Sequence, residues 1–282
     1  MDVTTPVLDN HCHIDPRNGD GIDAVRRFDR AGGTHMCIVN KPSWSLGVEA
    51  SEGDDFRDVF DETLETVEAA SEVLEGRAFA VLGVHPGLVS KLLGRWGGPQ
   101  NDEAVERAES VMKAGLDVAT EYVEEGRAVA LKSGRPHYDV QEPTWEASNE
   151  VMQHAFELGA EHDCAVQLHT ETADDFSDIR EKADEVGMPP DSVVKHFSSP
   201  SVSAVRRSVI AYEENVFEAA EDGRDFLLET DYIDDPERPG AVLGTRTVPR
   251  RVDALVEEGY DDAVERACVT LPEEVYGVEV SL

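Results

Sequence analysis

Residues 129–138 read Val-Ala-Leu-Lys-Ser-Gly-Arg-Pro-His-Tyr. A short apolar run ends on Lys132, and a glycine, an arginine and a histidine follow within five residues. A brief apolar run bounded by turn residues reads as a strand buried on both faces. The lysine needs its own explanation, because the chain holds only six of them in 282 residues. A strand that is apolar along its length and polar at its C-terminal end fits a parallel sheet whose rim carries chemistry.

The pattern repeats along the chain. Apolar runs at 7–10, 35–40, 79–83, 128–132, 165–169, 193–197, 209–212 and 226–230 read as strands. Amphipathic stretches at 21–31, 56–74, 102–124, 145–161, 173–186, 201–207, 214–221 and 249–258 read as the helices that separate or follow them. Strands alternating with helices predict an α/β fold, a parallel sheet with both faces covered. Eight such repeats in this length favour a closed (β/α)8 TIM barrel, a single domain over 1–282, above an open doubly wound sheet. No G-x-G-x-x-G follows the first strand, which weighs against a dinucleotide-binding fold. The stretch after 259 is expected on the outside of the barrel. The loop 232–240, with two prolines, is expected to cover the site.

Composition speaks about solvent more than fold. The chain carries 60 acidic residues against 25 basic ones, a formal net charge of −35, with the acids spread along its whole length. A folded protein of this charge strains against self-repulsion, which concentrated salt relieves by screening. Dispersed acid with scarce lysine points to a cytoplasmic protein of a halophilic archaeon. The same charge argues against a stable nucleic-acid complex, since the surface repels phosphate and salt weakens phosphate contacts. Cys12, Cys37, Cys164 and Cys268 show no CxxC spacing and read as small core hydrophobes. The first residues form no basic-then-apolar leader and no window approaches a membrane span, so no membrane partner is expected. Nothing in the sequence sets an oligomeric state.

The polar residues collect where the strands end. The first runs into Asn10-His11-Cys12-His13, the third into His85, the fourth into Lys132, the fifth into His169, the sixth into His196 and the eighth into Glu229-Thr230-Asp231. Singly, each reads as a satisfied polar residue or a helix cap. Together, five of the nine histidines fall at expected strand ends, which converge on one rim of a barrel. His35, His154 and His162 read as structural or surface residues. In an extended chain, residues two apart point the same way, so His11 and His13 offer two imidazoles to one ion. Imidazole with carboxylate suits zinc, manganese or iron, and Asp231 can complete such a site.

Five stretches carry a resemblance: Asp9-Asn10-His11-Cys12-His13, Gly83-Val84-His85-Pro86-Gly87, Gln167-Leu168-His169-Thr170, Lys195-His196-Phe197-Ser198 and Leu228-Glu229-Thr230-Asp231. In this order they resemble the TatD-related metal-dependent hydrolases of the amidohydrolase superfamily. The resemblance implies a barrel holding two divalent ions (zinc, manganese or magnesium) at the strand ends. His11, His13 and Asp231 would bind one, and His169 and His196 the other. In TatD-like enzymes a glutamate at the end of strand four, within Gly-Glu-x-Gly, bridges them. Here the stretch is Leu131-Lys132-Ser133-Gly134, and the glutamate is a lysine.

An ammonium between two cations repels them. Other branches of the superfamily carry a strand-four lysine that takes up carbon dioxide, and the resulting carbamate bridges two metals. Two readings of Lys132 follow: a carbamate that bridges, or an ammonium paired with Asp231 beside a degraded or single-metal site. The leading functional reading is a TatD-related phosphodiester hydrolase, deoxyribonuclease-like and acting at exposed nucleic-acid ends or on small molecules, with Asp231 as base. The alternatives are a carboxylated-lysine amidohydrolase acting on lactone, amide or phosphotriester bonds, and a degraded barrel that binds a small anion. His85, Arg135, His137 and Tyr138 are the expected substrate contacts. Arg135 reads either as a phosphate or carboxylate clamp or as an ordinary ion pair. No basic groove is visible in the sequence, and Asp234 and Asp235 would disfavour a polyanionic strand.

Overall fold

The computed structural model describes residues 5–237 and 242–282. Nine strands form one sheet: β1 (Leu8–His13), β2 (His35–Val39), β3 (Ala78–Gly83), β4 (Ala130–Gly134), β5 (Ala165–His169), β6 (Val193–Ser198), β7 (Arg206–Ile210), β8 (Leu227–Glu229) and β9 (Tyr232–Ile233). All neighbours are parallel, in the order β8-β7-β6-β5-β4-β3-β2-β1-β9. The last two strands are one piece of chain. β8 pairs with β7, and after Thr230 and Asp231 the chain pairs with β1 as β9, with Cys12 opposite Tyr232. That switch closes the expected barrel.

Asp9 ties the seam. Its carboxylate accepts from the Thr230 amide at 3.0 Å and the Thr230 hydroxyl at 2.6 Å, and from the His11 amide at 3.3 Å. These bonds sit where the β1 register shifts, between Asp9 and Cys12. A buried carboxylate here satisfies amides that the sheet ladder leaves over.

The helices α1 (Ile22–Asp29), α2 (Arg57–Ser71), α3 (Leu88–Trp96), α4 (Asp102–Glu124), α5 (Glu142–Glu161), α6 (Ser177–Glu185), α7 (Glu213–Asp222) and α8 (Thr247–Glu257) cover the sheet. Three expectations need correction. The stretch 201–207 is not a helix: Arg206 and Arg207 already belong to β7, which starts three residues before the expected strand 209–212. Helix α3 was not expected. The segment after 259 is not wholly external. Helix α9 (Asp261–Glu265) lies on the outer clusters, but α10 (Leu271–Tyr276) does not. Leu271, Val275, Tyr276 and Val280 pack with the inward-facing Leu8, Val39, Val81, Ala130 and Val194. The chain's end therefore plugs the barrel from the side opposite the rim.

The expected covering loop at 232–240 begins as β9, and its residues 238–240 lie outside the described residues. Asp234 is buried rather than facing solvent. It accepts from the amides of Asp15, Asp20 and Gly21 at 2.8–3.0 Å, so it clamps the loop after β1. All four cysteines are free and buried. Among the described residues, no helix is long and apolar enough to cross a membrane.

Candidate metal centre

β1 delivers two imidazoles to one point. His11 Nδ1 lies 2.7 Å from Gln167 Oε1, and His13 Nδ1 lies 2.8 Å from the Val39 carbonyl oxygen. Both oxygens only accept, so each Nδ1 carries the proton and each Nε2 keeps its lone pair. The two Nε2 atoms face each other at 3.3 Å. Two nitrogens each about 2.0–2.1 Å from one tetrahedral ion stand roughly 3.3 Å apart. Asp231 Oδ1 lies 3.9 Å from both rings. Two facing lone pairs with a carboxylate alongside fit a divalent ion.

The second pair adjoins the first. His196 stacks on His11 with ring centroids 4.0 Å apart, and its Nε2 lies 2.9 Å from His169 Nδ1. His11, His196 and Asp231 each offer a ligand atom within 4.8 Å of one another. His169 Nε2 meets His137 Nδ1 at 2.8 Å, and the His85 ring lies 4.6 Å from that of His169. Backbone strain marks the same place. Asp231 and Phe197 both adopt left-handed φ, 45° and 51°. Such a conformation costs roughly 1–3 kcal/mol for a residue with a side chain. At Phe197 it turns the amide onto Glu229 Oε1 at 2.7 Å.

Electrostatics favour the ligand form of every imidazole. Burial holds His11, His13 and His85 well below the usual histidine range, and the Lys132 charge pushes them further down. His169 and His196 are lowered by burial and then by neighbouring histidines, His85 and His11 respectively. Neutral imidazole is what a metal binds. Lys132 is 1% exposed. Burial pulls its amine down to about 8, while the Asp231 and Glu229 carboxylates pull back up. Burial pushes Glu229 well above the usual carboxylate range, and Asp231 adds to the push.

The expected site residues therefore separate. His11, His13, Lys132, His169, His196 and Asp231 come together at the rim with His85 and His137 beside them. Arg135 is engaged elsewhere. It is 4% exposed, donates from Nε to both oxygens of Glu171 at 2.9–3.0 Å, reaches Asp178 at 2.6 Å and lies over the Trp145 ring. Its guanidinium is thus engaged in ion pairs with two carboxylates of this chain. Tyr138 is exposed and donates its hydroxyl to Ser90 at 2.9 Å, one residue outside His137. His154 and His162 pair with surface acids, as expected.

Three supporting groups stand in the quoted stretches but carry no assigned role in the sequence. Gln167 fixes His11, and Glu229 Oε1 accepts from His196 Nδ1 at 3.3 Å. Lys195, 3% exposed, donates to the His196 carbonyl oxygen. The available signal was parity: Asn10 and Gln167 follow the inward-facing Leu8 and Ala165 by two residues.

A family model described as TatD related DNase matches residues 8–277. The chain belongs to this family. An uncharacterized protein of Methanocaldococcus jannaschii is 35% identical over 274 residues, covering 93% of this chain and 92% of that one. Among solved structures, a TatD-like protein from Archaeoglobus fulgidus superposes with a TM-score of 0.59 at 17% identity, covering 96% of this chain and 100% of that one. A variant of a PTE-like lactonase from Deinococcus radiodurans gives 0.61 at 13% identity, covering 98% and 97%. At those identities the two structures speak for the fold alone. With the family and the histidine–carboxylate centre, the chain is a metal-dependent hydrolase.

Proposed function

We propose that this member of the family hydrolyses phosphodiester bonds, with deoxyribonuclease-like attack at exposed nucleic-acid ends as the natural reaction. The observation that carries the metal reading is the pair of Nε2 lone pairs 3.3 Å apart, each with its Nδ1 proton committed to an acceptor. His11, His13 and Asp231 would hold one divalent ion, and His169 and His196 a second. Bound there, such ions polarise the scissile centre and lower the pKa of water toward neutrality.

As a carbamate, Lys132 would supply the anionic charge that this position lacks, beside the residues that would hold the ions. With the amine at about 8, a sizeable neutral fraction exists near neutral pH. The nitrogen lone pair attacks carbon dioxide, an N–C bond forms, one N–H proton leaves, and a cation becomes an anion with two oxygens. The reversal matters because an ammonium 4 Å from a dication costs roughly 8 kcal/mol at an effective dielectric of 20. Asp231, 9% exposed, takes the proton from the attacking water and returns it to the leaving oxygen. His137 and His85 lie where a substrate group at the rim would meet them.

The family supports the phosphodiester reading. The lysine at the end of β4 supports a second one, hydrolysis of lactone, amide or phosphotriester bonds. A panel of an oligonucleotide, a small phosphodiester, a lactone and an amide decides between them, run with added manganese or zinc and bicarbonate. Turnover of the lactone or amide alone would sink the phosphodiester reading. Full metal loading without carbon dioxide would sink the carbamate. Failure to bind any divalent ion would leave an anion-binding barrel.

A further inference from the structure

Below the histidines the barrel interior stays polar for one more layer, and the floor of that layer comes from α10. Tyr276, 7% exposed, accepts from Gln167 Nε2 at 2.8 Å and donates to Asn10 Oδ1 at 2.8 Å. Two branches rise from it. Gln167 Oε1 accepts from His11 Nδ1 at 2.7 Å. Asn10 Nδ2 donates to Ser208 Oγ at 2.9 Å, the Ser208 hydroxyl donates to Glu229 Oε2, and Glu229 Oε1 accepts from His196 Nδ1.

We propose that Tyr276 is a positioning residue of the metal centre: its hydroxyl fixes the amide orientations of Asn10 and Gln167, and through them the ring orientations of His196 and His11. The claim rests on reading those two histidines as metal ligands.

The bonds have a consistent polarity. The Asn10 carbonyl oxygen can only accept, and Gln167 Nε2 donates to it at 3.1 Å as well as to Tyr276. Gln167 therefore turns its oxygen to His11. With a hydroxyl donor below, Asn10 turns Oδ1 down and Nδ2 toward Ser208, which leaves the Ser208 proton for Glu229. Without that donor the Asn10 amide is free to turn over. Ser208 would then donate to Asn10, and Glu229 Oε2 would lose its proton donor. Gln167 would keep the Asn10 carbonyl but lose a partner. Both branches slacken, the His196 branch more. Plugging the barrel does not need a hydroxyl here, since Leu271, Val275 and Val280 supply apolar packing from the same segment.

The test compares Tyr276→Phe with Val275→Ala, which removes packing from the same helix and leaves every bond above intact. The readouts are the imidazole ¹⁵N shifts of the metal-free protein and the affinity for zinc or manganese by chelator competition at fixed bicarbonate. Tyr276→Phe is expected to fold, to bind metal about tenfold more weakly, as loss of a group supporting a metal ligand does, and to move the His196 and His11 nitrogen shifts away from the Nδ1–H form. Val275→Ala is expected to lower Tm and move neither readout. Ser208→Ala, which cuts one branch, is expected to move His196 alone, and it carries the test if Tyr276→Phe does not fold. Wild-type shifts and affinity in Tyr276→Phe, or an equal loss of affinity in Val275→Ala, overturn the proposal; so does an unmoved His196 in Ser208→Ala. If wild type binds no divalent ion, the metal reading fails, while the nitrogen shifts still decide the positioning claim.

Discussion

Lys132 is buried among imidazoles, and the Asp231 and Glu229 carboxylates favour its charged form. Replacing it separates its two readings. Lys132→Glu puts a carboxylate where a carbamate would stand, so metal loading should no longer need bicarbonate. Lys132→Met should load less metal than wild type, yet be more stable metal-free at pH 7, because a desolvated charge is gone. Elemental analysis with and without bicarbonate, and urea unfolding, measure both. A histidine outside the site adds its own pH dependence. His35 is buried beside Phe79, its Nε2 has no hydrogen-bond partner among the described residues, and burial pushes it down to about 4. Between about 4 and 6.5 the unfolded chain therefore holds a proton on His35 that the folded one does not, so this residue's contribution to stability should rise with pH across that window, by about 3 kcal/mol. Urea unfolding of His35→Leu should show a flatter profile there. At this scale the residues that gather at the rim were legible because one polar residue after another stood at a strand end. Asn10 and Gln167 were not, because a strand amide looks alike whether it supports a ligand or faces solvent.

Elements were legible where periodicity was long. The 23-residue α4 matches its expected bounds, with Asn101 capping its first turn by accepting from Ala104. The start of β7 was missed because arginines in a sequence suggest a solvated helix, and Val202 and Val205 stand three apart. Arg207 is instead 2% exposed and bidentate to Asp222 at 2.7–2.8 Å. Tertiary pairing overrode local pattern. The C-terminal plug was missed because an apolar helix face does not say which side of a barrel it meets. At the end of β4 the decisive residue is Gly134. Its φ is 142°, and a Cβ there would stand 1.9 Å from the His169 carbonyl oxygen. That approach lets the Arg135 amide donate to the same oxygen at 3.0 Å. Gly134→Ala must push β4 from β5, which should cost about 2–4 kcal/mol and weaken metal binding with it, since His169 moves. Tm and metal affinity should fall together, and a wild-type Tm would contradict the register argument.

Across the whole molecule the charge of −35 suggests a surface closed to phosphate, but the surface is not uniform. Arg27 and Arg30 of the α1 region and Arg246 and Arg250 of the α8 region line a groove of about 460 Å³ with Asp253. The basic groove that is invisible in the sequence is thus assembled from two distant stretches, by the same closure that joins β9 to β1. Among the described residues, no carboxylate lies within 4.0 Å of Arg30, Arg246 or Arg250. Arg27 donates to the hydroxyl of Tyr232 at 3.3 Å and pairs with Asp20 at 2.7 Å, so its charge is already partly neutralised. Under the proposed phosphodiester hydrolysis, a nucleic-acid strand would lay backbone phosphates along this groove, whereas a small phosphodiester would make no contact with it. Arg246→Glu/Arg250→Glu should therefore raise KM for an oligonucleotide and leave kcat and the small phosphodiester unchanged. The slope of log affinity against log salt should become shallower by roughly one to two units, about one for each phosphate that the arginines no longer neutralise. Kinetics from 0.1 to 0.5 M salt measure it, and equal losses for both substrates would place the effect in the fold instead of the groove.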